Sequence, residues 1–330
     1  MPRSGSSSAA FLCAALVCGP SSAFEFLTLP VACTPGTDCA IASYFDAEPS
    51  AAAGDYTCGP MTYDGHTGVD FAVTDYAAMD AGVAVLAAAP GRVIATRDGQ
   101  PDRRGTVDSR TVSGLECGNG VVIDHGNGEV TQYCHMRQGS IRVRNGQDVR
   151  AGEPIGLVGQ SGNSEFPHLH FEVQLNGRPI DPFSGRRADG CGLAGIMSWS
   201  PETAGALPYF AGLPFHLGFA AAAPDAAAMR AGDYDGATLS TESPQLVFWA
   251  EMWGVVSSDS IRMTVTAPDG TILADNRTTI DTTQTRSYRF IGIPTQDDWP
   301  SGTYSGEVVY DRAADGHSWT RTVTVELRAP

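Results

Sequence analysis

The chain has 330 residues and carries 21 Lys and Arg against 37 Asp and Glu, a formal net charge of −16. That balance excludes a nucleic-acid binder, which needs clustered cations to neutralise phosphates, and a polybasic membrane-surface protein. Hydrophobic residues reach 42%, enough for two cores, while 38 Gly, 21 Pro and only 18% charged residues predict short strands and many turns.

Met1-Pro2-Arg3 followed by the apolar run Ala9–Cys18 and the small residues Ser21-Ser22-Ala23 reads as an export signal over residues 1–23. The run is about half the ~20 residues of a spanning helix, so no membrane anchor is expected. Val17 also stands where a lipid-anchored cysteine at Cys18 would need a small residue. Cleavage leaves six cysteines and 20 basic against 37 acidic residues. Six cysteines in an exported chain predict disulfides, with 15 connectivities open. Cys33 and Cys39 close a short loop, Cys117 and Cys134 flank a hairpin, and Cys58 with Cys191 is the remaining pair. In a regular hairpin with a loop over His125–Gly128, Cys117 and Cys134 fall two residues out of register, so a bulge or a loose end is expected between them.

Residues 24–60 read as an irregular N-terminal extension. Residues 61–183 alternate apolar runs of strand length with turn signals: GVDFAV, VAVLAA, GRVIAT, GVVID, EVTQYCHM, IRVR, PIGLVG and HLHFEVQL. Asn127-Gly128 is a strong hairpin signal, because it tolerates the positive φ that tight hairpin turns require. Residues 184–236, rich in Ala, Gly and Pro, read as a connecting region. Residues 237–330 bring QLVFWAE, SIRMTVTA, TILAD, RSYRFIGI, GTYSGEVVY and WTRTVTVEL, a second strand series that fits a small immunoglobulin-like β-sandwich. His317 reads there as a surface residue.

The chemistry sits in the first strand series, which holds five of the seven histidines. In Pro167-His168-Leu169-His170-Phe171-Glu172-Val173, strand alternation puts His168, His170 and Glu172 on one face and the apolar residues on the other. His66 and Asp70 share parity on an extended segment. Together with one of the paired histidines they make a His, Asp, His set for zinc with the fourth position left to water, as in catalytic rather than structural sites. Tyr133 and His135 lie opposite Cys134 by alternation, and His135 is the candidate proton acceptor near neutral pH.

These residues resemble the lysostaphin/LytM-type zinc metallopeptidases, which cut peptide bonds in peptidoglycan. That family combines a His-x-x-x-Asp motif, a later isolated His and a His-x-His strand. This chain has them in order at His66–Asp70, His135 and His168–His170, with Gly118–Gly126, Gly152–Gly156, Gly159–Gly162 and Asp181-Pro182-Phe183 between and after. The resemblance covers Tyr63 to Phe183, a little over a third of the chain. It implies a mainly β fold, with an antiparallel β-sheet LytM-like domain ahead of the sandwich. It implies one Zn2+ per chain on His66, Asp70 and His170, with His135 and His168 as the catalytic pair and His125 structural. Glu172 becomes a candidate for orienting a zinc histidine, and Tyr63 for donating to an oxyanion. The implied protein is a secreted or periplasmic zinc metalloendopeptidase acting on peptidoglycan cross-links. Two alternatives remain: an inactive LytM-like regulator of other wall hydrolases, and an extracellular zinc peptidase acting on proteins. The partner of the C-terminal domain is left open.

Overall fold

A computed structural model describes residues 26–105, 108–192, 195, 197–295 and 297–330. The expected export signal lies outside the described residues. In chain order the first half holds β1 (Cys39–Ser43), β2 (Val69–Val73), α1 (Tyr76–Ala81), β3 (Ala84–Leu86), β4 (Gly91–Arg97), β5 (Asn119–Gly126) and β6 (Glu129–Met136). It continues with β7 (Asp148–Val149), β8 (Pro154–Leu157), β9 (His168–Leu175) and β10 (Arg178–Ile180). The second half holds α2 (Pro201–Ala206), β11 (Leu213–Ala220), α3 (Ala226–Ala231), β12 (Thr238–Ser240), β13 (Gln245–Val255) and β14 (Ser260–Thr266). It ends with β15 (Ile272–Thr279), β16 (Gln284–Pro294), β17 (Gly302–Asp311) and β18 (Ser318–Arg328). The protein is mainly β, as expected.

The first half is built on an antiparallel sheet ordered β1-β2-β9-β6-β5-β4-β7, with β10 paired to β9 and a separate β3-β8 ribbon. Alternation fixes its buried face: Val69, Phe71, Leu169, Phe171 and Val173 are all buried, as is Tyr133 beside them. The hairpin β5–β6 turns on Asn127 (φ 51°) and Gly128 (φ 80°), two consecutive left-handed residues. The loop is therefore two residues long, because the strands run on through Gly126 and from Glu129. The register slips between Asn119 and Val121, but Cys117 reaches Cys134 from the turn before β5, by a loose end rather than a bulge. Cys33–Cys39 and Cys58–Cys191 are bonded as well. Ile141–Arg144 joins no ladder, although Arg142 N donates once to Ile155 O (3.0 Å). Val143 is buried and Ile141 half-buried against the core, while Arg142 and Arg144 are exposed.

Two stretches that read as irregular or connecting carry structure. Residues 39–43 of the N-terminal extension form β1, fully buried against β2. Residues 213–220 form β11, which pairs antiparallel with β13. The run of β1 is short and small-sided and that of β11 is interrupted by Pro and Gly, so periodicity alone hides them. The second half stacks β11-β13-β16 on β12-β18-β17-β14-β15, in which the β12–β18 pair is parallel. Phe248, Ile261, Val265, Tyr304 and Val308 share one core between the two sheets.

The halves are not independent. Leu213, Phe215 and Trp253 from the second belong to the same apolar cluster as Phe71 and Phe171. Arg321 Nη1 donates to Phe215 O (2.7 Å), and Arg321 also reaches the carbonyls of Gly36 and Thr37. His216 on β11 donates through Nε2 to Asp235 Oδ1 (2.7 Å) and lies 3.7 Å from Asp75, the N-cap of α1. Among the described residues no helix is long and apolar enough to cross a membrane.

Candidate metal centre and active-site groove

Three adjacent strands deliver the polar cluster. In the β2–β9 pairing Asp70 stands opposite His170 and Ala72 opposite His168. In the β6–β9 pairing Cys134 stands opposite His170. Because Val69, Phe71, Leu169 and Phe171 take the core face, Asp70, His168, His170 and Glu172 are left on the other.

His66 comes from the loop before β2. Its Nδ1 lies 2.6 Å from Tyr44 O, and since a carbonyl only accepts, that nitrogen carries the proton. Its Nε2 therefore presents a lone pair, 3.1 Å from Asp70 Oδ1 and 3.1 Å from His170 Nδ1. His170 Nδ1 is in turn 2.9 Å from Asp70 Oδ1. Three donor atoms thus converge with too few protons to share, and His66 and Asp70 are 3% and 4% exposed. The second nitrogens are engaged too: Nδ1 of His66 at Tyr44 O, and Nε2 of His170 facing Glu172 Oε2 at 4.0 Å. Two imidazoles and one carboxylate, each imidazole backed by an acceptor, is the donor set zinc takes. The residues present fit the ion.

The electrostatics agree. Burial opposes ionisation of Asp70, but the surrounding imidazoles outweigh it and hold the carboxyl well below its usual range. Burial likewise pulls the His170 imidazolium down, yet Asp70 and Glu172 raise it to about 9. Glu172 is also held low against burial, by His170, Thr67 and Gln174.

His135 and His168 flank this cluster. Their ring centroids are 4.6 Å apart, and that of His135 is 6.0 Å from that of His170. His168 Nδ1 donates to Phe166 O (2.9 Å) and His135 Nδ1 donates to Ser161 O (2.8 Å). Both tautomers are thereby fixed, leaving each Nε2 unprotonated; that of His168 lies 3.6 Å from Asp70 Oδ1. Burial, before any neighbour, lowers the affinity of both rings for a second proton.

One expectation is corrected here. Alternation places His135 on the face opposite Cys134, but both line the same groove with His170. The reason is backbone conformation: His135 has φ +60°, a left-handed geometry that a non-glycine residue adopts only where its surroundings impose it. His135 N donates to Cys117 O (2.8 Å) beside the disulfide, and this contact together with the Ser161 bond holds the turned ring in place.

The groove encloses about 330 Å³ and is walled by Tyr63, Thr67, Glu116, Gln132, Asn163 and Glu172. Through Glu116, Cys117 and Gln132 it continues into a second hollow over β4–β5, of about 380 Å³, that ends at Thr96 and Arg97. Tyr63 stacks on His66, with centroids 4.5 Å apart, and is half exposed. Thr67 Oγ1 donates to Glu172 Oε2. His125 takes no part: its nitrogens lie 2.8 Å from Pro90 O and from Thr131 Oγ1. His317 packs on Trp319.

Sequence reasoning missed the groups that orient the histidines. Tyr44, Ser161 and Phe166 act through main-chain carbonyls, which leave no mark in residue type. Asp46, in the supposed extension, is 3% exposed and accepts from Gly65 N (2.9 Å) through Oδ2 beside His66. The one signal for Ser161 was the glycine that follows it, Gly162. A Cβ on Gly162 would fall 2.2 Å from Glu116 O and one on Gly118 2.4 Å from the Ser161 backbone, so the two loops touch main chain to main chain.

Residues 64–182 match Peptidase family M23. The chain is 48% identical over 67 residues to the DD-carboxypeptidase/endopeptidase Mpg of Neisseria meningitidis, covering 20% of this chain and 15% of that one. It is 37% identical over 116 residues to the peptidoglycan DD-endopeptidase ShyA of Vibrio cholerae, covering 35% and 22%. Over 62 residues it is 40% identical to the murein hydrolase activator EnvC of Escherichia coli, covering 19% and 14%. The chain spans less than a quarter of the length of these curated relatives. A zinc-containing peptidase of Vibrio cholerae aligns in structure over 42% of this chain and 39% of its own, at 28% identity and a TM-score of 0.28.

Proposed function

We propose that the protein, whose residues 64–182 match peptidase family M23, is an exported zinc metalloendopeptidase that hydrolyses peptide cross-links of peptidoglycan. The observation that carries this reading is the convergence of His66 Nε2, Asp70 Oδ1 and His170 Nδ1 within 3.1 Å of one another, with two further histidines of fixed tautomer beside them. The likeness to ShyA, named as a peptidoglycan DD-endopeptidase, supports the substrate class.

In this reading His66, Asp70 and His170 hold one zinc ion per chain. When bound, zinc supplies Lewis acidity and makes a nucleophile of water near neutral pH. His135 and His168 offer unprotonated Nε2 atoms at the cluster's edge, so one accepts the proton of the attacking water and, as the imidazolium, gives that same proton to the leaving amine, directly or through the other ring. Each such transfer contributes on the order of 10² to 10⁴-fold. Tyr63 stands at the mouth of the groove, where its hydroxyl can donate to the developing oxyanion. The groove running towards Arg97 receives the peptide on one side of the scissile bond. Residues 237–330, joined by β11, are read as a β-sandwich of immunoglobulin-like type.

The test is a digest of purified sacculi read by mass spectrometry, alongside a zinc determination and a protein substrate. Cross-link cleavage with close to one zinc per chain is expected. Cleavage of the protein substrate alone would give the extracellular peptidase instead. The likeness to EnvC favours one second reading, a regulator of other wall hydrolases, and a chain that binds no zinc and cuts nothing would establish it.

A further inference from the structure

The loop that fixes the His168 tautomer is held from the other half of the molecule. Phe166, whose carbonyl accepts from His168 Nδ1 at 2.9 Å, has its ring 4.7 Å from the His168 ring on one side. On the other side it lies 4.9 Å from Trp253 of β13. Trp253 is 2% exposed and stands opposite Arg286 of β16 in the β13–β16 ladder, so the two side chains are cross-strand neighbours. The Arg286 guanidinium lies 5.0 Å from the Trp253 ring and 5.9 Å from that of Phe166, covering both. It is itself locked by an ion pair to Glu251, which is 0% exposed and two residues before Trp253 on the same face of β13. Ser164 donates its hydroxyl to Phe166 O as well, at 2.8 Å. That carbonyl therefore serves two donors, and its direction depends on where the Phe166 ring is wedged.

We propose that Trp253, clamped by Arg286, is a positioning residue for His168: the C-terminal sheet sets the orientation of a catalytic histidine by holding Phe166. The reading rests on the proposed catalytic role of His168. It gives the C-terminal half a task inside the active site, in addition to anything it binds outside. The small hollow beside Phe166 is lined by Trp253, Arg286 and Arg230 from the second half and by Val73, Asp75 and Tyr76 from the first. A geometric displacement of about 1 Å at a proton-transfer group costs up to 10²-fold in rate.

The experiment is a double-substitution cycle in the full-length zinc-loaded protein, with Phe166→Ala, Trp253→Ala and the pair assayed on cross-linked muropeptide. Each single change is expected to lower kcat about 10-fold with KM within about 2-fold and zinc retained, and the pair is expected to do no worse than the more damaging single change. In the metal-free protein, the Nδ1 proton of His168 gives a slowly exchanging low-field NMR signal in the wild type, lost in all three variants. If Trp253→Ala does not fold, Trp253→Phe and Trp253→Leu replace it: the ring of Phe keeps the imidazole signal and Leu, apolar but flat on no face, loses it. Wild-type kcat with an intact imidazole signal in Trp253→Ala, or losses that multiply to about 100-fold in the pair, would overturn the proposal. Full activity in His168→Ala would instead remove the catalytic reading, while the imidazole signal would still decide whether Trp253 positions the ring.

Discussion

The two halves of this molecule are both stacks of antiparallel strands, yet they treat polarity in opposite ways. The first half buries His66, Asp70, His135, His168 and Glu172 within a few ångströms of one another on one side of its main sheet. The second half buries an apolar core of Phe248, Ile261, Val265, Tyr304 and Val308 and keeps its buried charge, Glu251 with Arg286, at the junction. Burying polar groups is costly unless they are paired, and clustering titratable groups is costlier still. The first half offsets it through main-chain carbonyls that take up N–H groups, and in the proposed reading a bound cation would resolve the excess of lone pairs. Among the described residues the second half's own polar meeting point is smaller, His216 and Asp235 beside Asp75 of the first half, and its aromatic residues are proposed to serve as a brace. The contrast teaches where function resides: in the half whose buried groups make sense only with something bound.

Substitutions sharpen the contrast in order of expected effect. His170→Ala should remove zinc and hydrolysis together, with activity falling by more than about 10⁴-fold, as read by metal content and muropeptide turnover. Retained zinc at wild-type stoichiometry would break the ligand assignment. His168→Ala should lower turnover by about 10² to 10⁴-fold while the metal stays, because its Nε2 faces the cluster without completing it. A variant that cleaves at the wild-type rate would reverse that role.

Removing the Cys117–Cys134 bond by a double change to Ser should cost about 3 kcal/mol in urea unfolding, the entropy of a short closed loop. It should also lower activity, since the His135 backbone is pinned to Cys117. The same change at Cys33–Cys39 is expected to leave activity untouched, and equal activity losses at both sites would contradict the assignment.

The smallest effect is one of pH. Asp181 is 1% exposed, and burial raises its carboxyl to about 6, against opposing hydrogen bonds from Ser184 and Phe183. A folded-state value above the unfolded one means the ionised carboxyl destabilises the fold above pH 6, a penalty that fades as pH falls towards 4. Asp181→Asn should therefore gain on the wild type by about 2 kcal/mol more at pH 7.5 than at pH 4.5 in urea unfolding. Parallel pH profiles would show that the carboxyl is not strained by burial.

How much of this was legible follows from which physical rules act locally. The strands EVTQYCHM and HLHFEVQL were legible to the residue, because alternation of apolar and polar side chains is a property of the chain itself. The face shared by His168, His170 and Glu172 followed from the same rule. It failed at His135, where a positive φ breaks the alternation, and a positive φ at a histidine leaves no sequence signal. It also failed at β1 and β11, whose burial depends on partners 30 residues away in sequence.

The sequence by itself determined which side chains can coordinate or carry protons and, by strand parity, that most of them face one way. The tertiary structure alone decided what those groups touch: the carbonyls of Tyr44, Ser161 and Phe166 that select each tautomer, and the tryptophan and arginine from the far half that wedge one of those carbonyls. The physical reason is that side-chain identity is written residue by residue, whereas a main-chain carbonyl is the same in every residue and gains meaning only from where the fold points it.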